Sequence, residues 1–462
     1  MSQNFLRGDG HEVGFPLLGI LVKQYVFALL ALSFVLLVLA IPPATRVSLS
    51  LPDRAGISDN PWDGSDVLTY VAPARSFLES GEFLRHGKPD LHRTIGYPLF
   101  LAGMMKVFGP YWVGATYMLQ IFIFSMLFPA VSIISFVMFR AGPLCIRSQF
   151  WVLLFLGVGV AYVGQLMTDM LFASLLTIGI ALGVVSIIKK SWLFTALHIF
   201  VLAWAAQIRP TLSLFWIADL CFLLHTARIW NISFSSRVKK IIWISVALIA
   251  VAGNGPAIRN YFNHGMLTPT DILSNNIAYY LAGPVLIDKG RAGEYAEKRS
   301  QMIALEDHER IIAQKQFALE TVIEYPVSTV KRIVYHFLWN IYEPHWEYIA
   351  FVFGEGFYLN SWFDENGKLR WQLILGVPFY ILYTMICFFS LFSIFRIINK
   401  RYWALLVGLI IYFLPLGASL INGQGARMRV CVEPLLIILA CLSVFPLLGH
   451  EKHSVVSCEG ES

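Results

Sequence analysis

The chain has 462 residues, of which 57% are hydrophobic and 14% charged, and its net charge is +6. With a mean hydropathy of +0.64 it lies far from a soluble domain, which carries roughly 25% charged residues. The composition therefore excludes a water-soluble globular protein, and apolar runs without strand alternation exclude a membrane barrel. An all-α polytopic membrane protein is the class left. Its basic excess suits cytoplasmic loops, so no nucleic-acid partner is needed to explain it.

Taken in chain order, apolar runs near 22–42, 112–139, 149–165, 168–188, 191–207, 210–226, 240–258, 371–396, 402–421 and 430–449 predict about ten transmembrane helices. The first run lacks a small-residue cleavage signal after it and is read as a retained span. The implied organisation is a cytoplasmic N-terminus (1–23), then a transmembrane core (24–258) that includes a first extracytoplasmic loop (43–110). A large extracytoplasmic segment (259–370), C-terminal transmembrane helices (371–449) and a cytoplasmic tail (450–462) follow. No internal repeat is visible, and the six cysteines form neither a metal motif nor a disulfide framework.

Charge in the short loops sets the orientation. One side carries Arg140 and Arg147, Lys189 and Lys190, Arg228, Arg237, Lys239 and Lys240, then Arg396, Lys400 and Arg401; the other carries only Arg209, Arg427 and Arg429. The positive-inside bias places both termini in the cytoplasm and both large segments outside.

In the first loop, Val67, Tyr70, Val71, Ala74, Phe77 and Leu78 recur at helical spacing before Gly81. They predict an amphipathic helix lying along the membrane interface, with Ser65 or Asp66 as its N-cap. The same position suits Asp66 as a carboxylate held at the lipid–water boundary, where it can act as a base. Asp169 begins the fourth span on the same side. It either caps that helix or is partnered, since an unpaired charge there costs on the order of 2–3 kcal/mol. Asp66 and Asp169 together are candidate ligands for a divalent metal ion. Arg209, Arg427 and Arg429 either snorkel to headgroups or bind a phosphate through their planar forks. Pro210 is placed to start the helix after Arg209.

The second large segment shows an amphipathic pattern from Tyr295 to Tyr325, with Ile303, Leu305, Ile311, Ile312, Phe317, Leu319 and Val322 on the apolar face. Glu343 and His345 are weaker metal-ligand candidates within an aromatic strip.

The ordered series SDVLTYVAPARSFLESGEF, RTIGYPLFLAG, TDMLFASLL, IRPT, RNYFNHGMLTPTDILSNNIAYYLAG, IEYPVSTVKRIVYHFLWN and RMRVCVEPLL resembles the GT-C superfamily of polytopic glycosyltransferases. Within it, the branch of protein O-mannosyltransferases and the lipid A aminoarabinose transferase is the most similar. The resemblance runs over roughly residues 24–449. It implies a GT-C fold with interfacial helices in two extracytoplasmic loops, and inverting transfer of a sugar from a polyprenyl-phosphate donor to an extracytoplasmic acceptor. It further implies Asp66 and Asp169 as catalytic carboxylates, and Arg93, Arg209, Arg427 and Arg429 as donor-phosphate ligands. Tyr70, Tyr97, Tyr261 and Asn276 become substrate-binding residues. A bacterial inner membrane is the implied setting, with membrane lipids as neighbours. The sequence departs from the family pattern at Thr94-Ile95, where a second Pro or Gly is common before Gly-Tyr-Pro. Two other classes use similar features: a transporter or flippase for a lipid-linked sugar, and an O-antigen ligase or polymerase.

Overall fold

The computed structural model describes residues 14–40, 64–85, 87–139, 141–156, 166, 168–342, 430–448 and scattered positions between 381 and 409. These residues are mostly helical. In chain order they form α1 (Gly14–Ala40), α2 (Gly64–Ser80), a hairpin of β1 (Leu84–Arg85) and β2 (Lys88–Pro89), α3 (Gly96–Phe108), α4 (Trp112–Ser125), α5 (Leu127–Phe139) and α6 (Pro143–Leu156). Next come α7 (Thr168–Lys189), α8 (Trp192–Ile208), a 3-10 turn (Pro210–Leu214), α9 (Phe215–Ile229) and α10 (Ser236–His264). A second polar stretch holds α11 (Ile272–Asn276), a π-helical turn (Ile277–Ala282), α12 (Gly283–Asp288), α13 (Ala292–Ala304), α14 (Asp307–Glu324) and α15 (Pro326–Tyr342); α16 (Glu433–Leu448) closes the described chain.

Three apolar helical stretches are long enough to cross a membrane: Gly96–Phe139, Thr168–Lys189 and Ser236–His264. Shorter apolar helices cover Gly19–Phe34, Trp192–Ile208 and Glu433–Leu442. The chain is thus a helical, multi-pass membrane protein. Of the ten expected spans, three reach spanning length among the described residues, and 371–396 and 402–421 fall largely outside them. The apolar stretch that starts the second span begins at Gly96, well before the expected 112, because the run from Gly-Tyr-Pro onward is helical and apolar.

The core of the bundle is a tight antiparallel hairpin of α7 and α8, turned at Lys190, whose backbone is left-handed at φ 48°. Close approach is possible because α7 carries glycines four residues apart. A Cβ on Gly179 would stand 2.4 Å from Leu202 Cδ2, and one on Gly183 would stand 2.7 Å from the ring of His198. Without a hydrophobic drive between helices in lipid, such small-residue contact and interhelical hydrogen bonds supply the attraction. His198 Nδ1 lies 2.7 Å from the Gly179 carbonyl oxygen, and its Nε2 lies 3.3 Å from Asp219 on α9. Helix α10 packs on α8 through one face and leaves Trp243, Ile244, Leu248, Val251, Ile258 and Phe262 exposed on the other, as a lipid-facing stripe would be.

Three expectations are corrected here. Ser65 and Asp66 lie inside the first turn of α2 and do not precede it. The apolar stripe of α2 turns into the protein: Val67, Tyr70, Val71 and Ala74 are buried and the helix packs against α3, while Leu68 is exposed. The expected stop holds, since Gly81 adopts φ 79° and donates its N–H to the Phe77 carbonyl at 2.9 Å. In the second polar stretch the amphipathic region is two helices, α13 and α14. Ile311 and Phe317 are buried as expected, but Ile303, Ile312 and Leu319 point outward, and Gln314 takes an inner position by donating to Asn275 Oδ1 at 2.6 Å.

Candidate functional site

The α7–α8 hairpin brings the start of one helix beside the end of the other. Asp169 lies in the first turn of α7 and Arg209 caps the C-terminus of α8 with extended backbone. A carboxylate at a helix N-terminus and a guanidinium at a C-terminus each complement the helix dipole. Here the two also pair directly, through Arg209 Nη2 and Asp169 Oδ1. Asp169 is fully buried and the Arg209 side chain is 11% exposed.

All three guanidinium nitrogens of Arg209 are engaged. Nε donates to Thr168 Oγ1 at 3.2 Å, and Nη1 to Cys431 Sγ at 3.0 Å. Cys431 arrives from the turn that leads into α16, so the chain's last described helix closes on the same point. Tyr70 reaches it from α2, with its hydroxyl 3.4 Å from Thr168 Oγ1. The Arg93 guanidinium lies over the Tyr70 ring, 4.3 Å from its centre, and its Nε donates to Thr69 Oγ1 at 2.8 Å. Tyr97 packs edge-on against Tyr70 at 5.1 Å and donates to Gln120 Oε1 at 2.9 Å. Segments distant in sequence thus meet at one end of the bundle.

Several contacts hold the 90–97 turn there. Thr94 donates to the Ile208 carbonyl at 2.8 Å, one residue before Arg209. Gly96 touches the same strand of chain: a Cβ would stand 2.5 Å from the backbone of Gln207. Asp90 accepts the N–H groups of His92 at 3.0 Å and Arg93 at 3.2 Å. From α10, Arg259 Nη2 donates to the carbonyls of Asp90 at 3.0 Å and Arg93 at 3.2 Å. Burial pushes the Asp90 carboxyl above the usual range, against the lowering influence of Arg85.

The hairpin and the turn after it are also clasped to the second polar stretch. His92 Nδ1 lies 2.6 Å from Asp271 Oδ1, and Asp271 donates its N–H to the Leu91 carbonyl at 3.3 Å. Leu91, Met266 and Ile311 form a small apolar cluster beneath these bonds. Burial is the largest influence on Asp271 and raises it. The His92 hydrogen bond and the charges of His92, Arg85 and Arg310 outweigh it, holding the carboxyl below the usual range.

Of the expected site residues, Tyr70, Arg93, Tyr97, Asp169 and Arg209 gather at this point. Asp66 is four residues before Tyr70 on α2, and its side chain lies outside the described residues, as do Arg427, Arg429, Glu343 and His345. Tyr261 stands apart, 55% exposed with its ring against Phe262, and Asn276 ends α11 outside the hydrogen-bond network around Asp169. Pro210 opens a 3-10 turn, and helix α9 starts at Phe215. Thr168, Cys431 and Arg259 were not singled out as site residues. Arg259 carried the available signal, being a further basic residue at the end of a span on the arginine-poor side. Among the described residues no three His, Cys, Asp or Glu side chains are arranged to hold a metal ion. Asp169 is the one expected metal ligand with a described side chain, and it is already paired with a guanidinium. A cation would fit there only with a second carboxylate in reach.

No protein-family model matches the chain, and no curated protein does. Among solved structures, the archaeal oligosaccharyltransferase AglB from Archaeoglobus fulgidus, in complex with an inhibitory peptide and a dolichol-phosphate, is similar at a TM-score of 0.47 and 11% identity. The match covers 91% of this chain and 51% of that one, so the chain spans about half the length of that enzyme.

Proposed function

We propose that the protein is an integral membrane glycosyltransferase that moves a sugar from a polyprenyl-phosphate donor to an acceptor on the extracytoplasmic face of a bacterial inner membrane. The observation that carries this reading is the buried Asp169–Arg209 pair at one end of the bundle, beside Arg93 stacked on Tyr70. Buried intramembrane charges are costly and mark substrate paths. A lipid-borne anion is the substrate that needs cations held at such a depth.

In the reaction, the acceptor hydroxyl gives its proton to Asp66 as its oxygen bonds to the anomeric carbon. The bond from that carbon to the phosphate oxygen breaks, and its electron pair stays on the lipid phosphate. Arg93 and Arg209 stabilise the charge gathering there. Asp169 and Thr168 fix the Arg209 fork in place. The arm on Cys431 is the one a phosphate oxygen takes over most easily, because a thiol sulfur is a weak acceptor.

The test is sugar transfer by purified protein given a polyprenyl-phosphate sugar and a panel of acceptors. Asp66→Asn should abolish transfer while leaving folding intact. Full activity in that variant would remove Asp66 as the base.

A further inference from the structure

The 90–93 turn presents Arg93 to the Tyr70 ring and leads into Thr94, whose hydroxyl bonds the Ile208 carbonyl just before Arg209. The places of both arginines therefore depend on this turn. Its N–H groups are held from one side, where the Asp90 carboxylate accepts from His92 and Arg93. Its carbonyls are held from the other side by Arg259, in the last turns of α10. There Nη2 donates to the carbonyls of Asp90 at 3.0 Å and Arg93 at 3.2 Å.

Arg259 is aimed at the turn by its neighbour. Asn260 is fully buried, and its Nδ2 donates to the carbonyls of Thr268 at 2.8 Å and Pro269 at 2.9 Å. Because the amide nitrogen is spent on those two oxygens, the amide oxygen is the end left for Arg259. It accepts from Nε at 2.9 Å and from Nη2 at 2.6 Å. The hydrogen bonds of Arg259 among the described residues all end on neutral oxygens. Bonds from a charged donor are roughly twice as strong as those between neutral groups, and a planar fork loses little freedom in making several at once. Such a group is suited to hold backbone.

We propose that Arg259 is a positioning residue of the donor site. It fixes the 90–93 turn, and so sets Arg93 over Tyr70 and, through Thr94, the chain that enters Arg209, without touching the substrate. The consequence for transfer rests on the function proposed above; the hold on the turn does not.

Hydrogen exchange of the full chain in a non-ionic detergent, followed by mass spectrometry, reads that hold directly. Arg259→Gln should speed exchange over residues 90–95 roughly tenfold and leave α7 and α8 as in wild type. Arg259→Lys keeps a charged donor without the planar fork and should fall between the two. Transfer from a polyprenyl-phosphate sugar is the second readout. Arg259→Gln should lower kcat on the order of tenfold. Added to Arg93→Met it should cost no more than about threefold further, because the arginine it positions is already gone. Wild-type exchange at the turn in both Arg259 variants would overturn the proposal, whether or not the protein transfers sugar. So would faster exchange spread over α7 and α8 in both variants, which would make Arg259 a general prop of the bundle. A full tenfold loss on top of Arg93→Met, with the turn undisturbed, would make Arg259 a direct ligand of the donor and overturn it as well. Absence of transfer in wild type would remove the proposed function, and the exchange result alone would then decide the hold on the turn.

Discussion

Replacing Arg209 by Met should be among the most damaging single changes in the bundle. Its partner Asp169 is fully buried, so the variant leaves a carboxylate at the start of α7 with its counter-charge gone. Breaking a buried ion pair from one side costs about 3–5 kcal/mol, mostly the cost of the charge left behind. Replacing both partners with apolar residues of similar size removes that charge as well, and such exchanges are often neutral or stabilising. Asp169→Leu/Arg209→Met should therefore be more stable than Arg209→Met alone, with an interaction energy of roughly 2–3 kcal/mol across the cycle. Equilibrium unfolding in mixed micelles, with the denaturing detergent as the variable, measures all four proteins on one scale. Transfer activity should vanish in both Arg209 variants, separating the stability of the pair from its use. A single variant within about 0.5 kcal/mol of wild type, or a double variant that equals the sum of the singles, would refute the reasoning.

Gly96→Ala should destabilise by about 1–3 kcal/mol, because the added carbon meets the backbone of Gln207, which cannot rotate away as a side chain would. The displaced chain leads straight into Arg209, so transfer should fall further than unfolding alone explains, as a kinetic assay at a temperature below the transition would show. His336 on α15 is buried, and burial, assisted by the charge of Arg332, lowers its pKa to about 4. Its ordinary pKa is about 6.5, so the unfolded chain takes up a proton first as the pH falls. The contribution is complete above about 6.5 and drains away down to about 4, by roughly 3 kcal/mol in all. His336→Leu should flatten the dependence of unfolding on pH across that window.

Much of the helical layout was legible because apolar runs and their punctuation are local signals. The stop at Gly81 and the extents of α7 and α8 followed from residue type and periodicity alone. Orientation of α2 did not, because an apolar stripe on a helix meets lipid and protein equally well. Only the packing partner α3 decides that Val67 and Tyr70 face inward. Asp169 and Arg209 were visible as charges in costly places, while Tyr70, Arg93 and Tyr97 entered through the family resemblance. The pairing of the two charges was hidden, since Asp169 and Arg209 each read as a helix end, and nothing in either neighbourhood states that the two ends meet. Cys431 was invisible for a different reason: a thiol in an apolar run reads as packing until a guanidinium is found beside it.

The α7–α8 hairpin makes chain length itself a determinant of the site. Asp169 and Arg209 meet because the two arms, joined at one tight turn, return the chain to the same end of the bundle. Each helical residue adds about 1.5 Å of rise and 100° of rotation. A single deletion in either arm would therefore shift one partner along the axis and swing it to another face. The contacts of Gly179 with Leu202 and Gly183 with His198 would be lost in the same slip. Substitutions along these helices can be accommodated one at a time, but insertions or deletions would have to arise in both arms together. Libraries that vary this region should keep the count from 169 to 209 fixed.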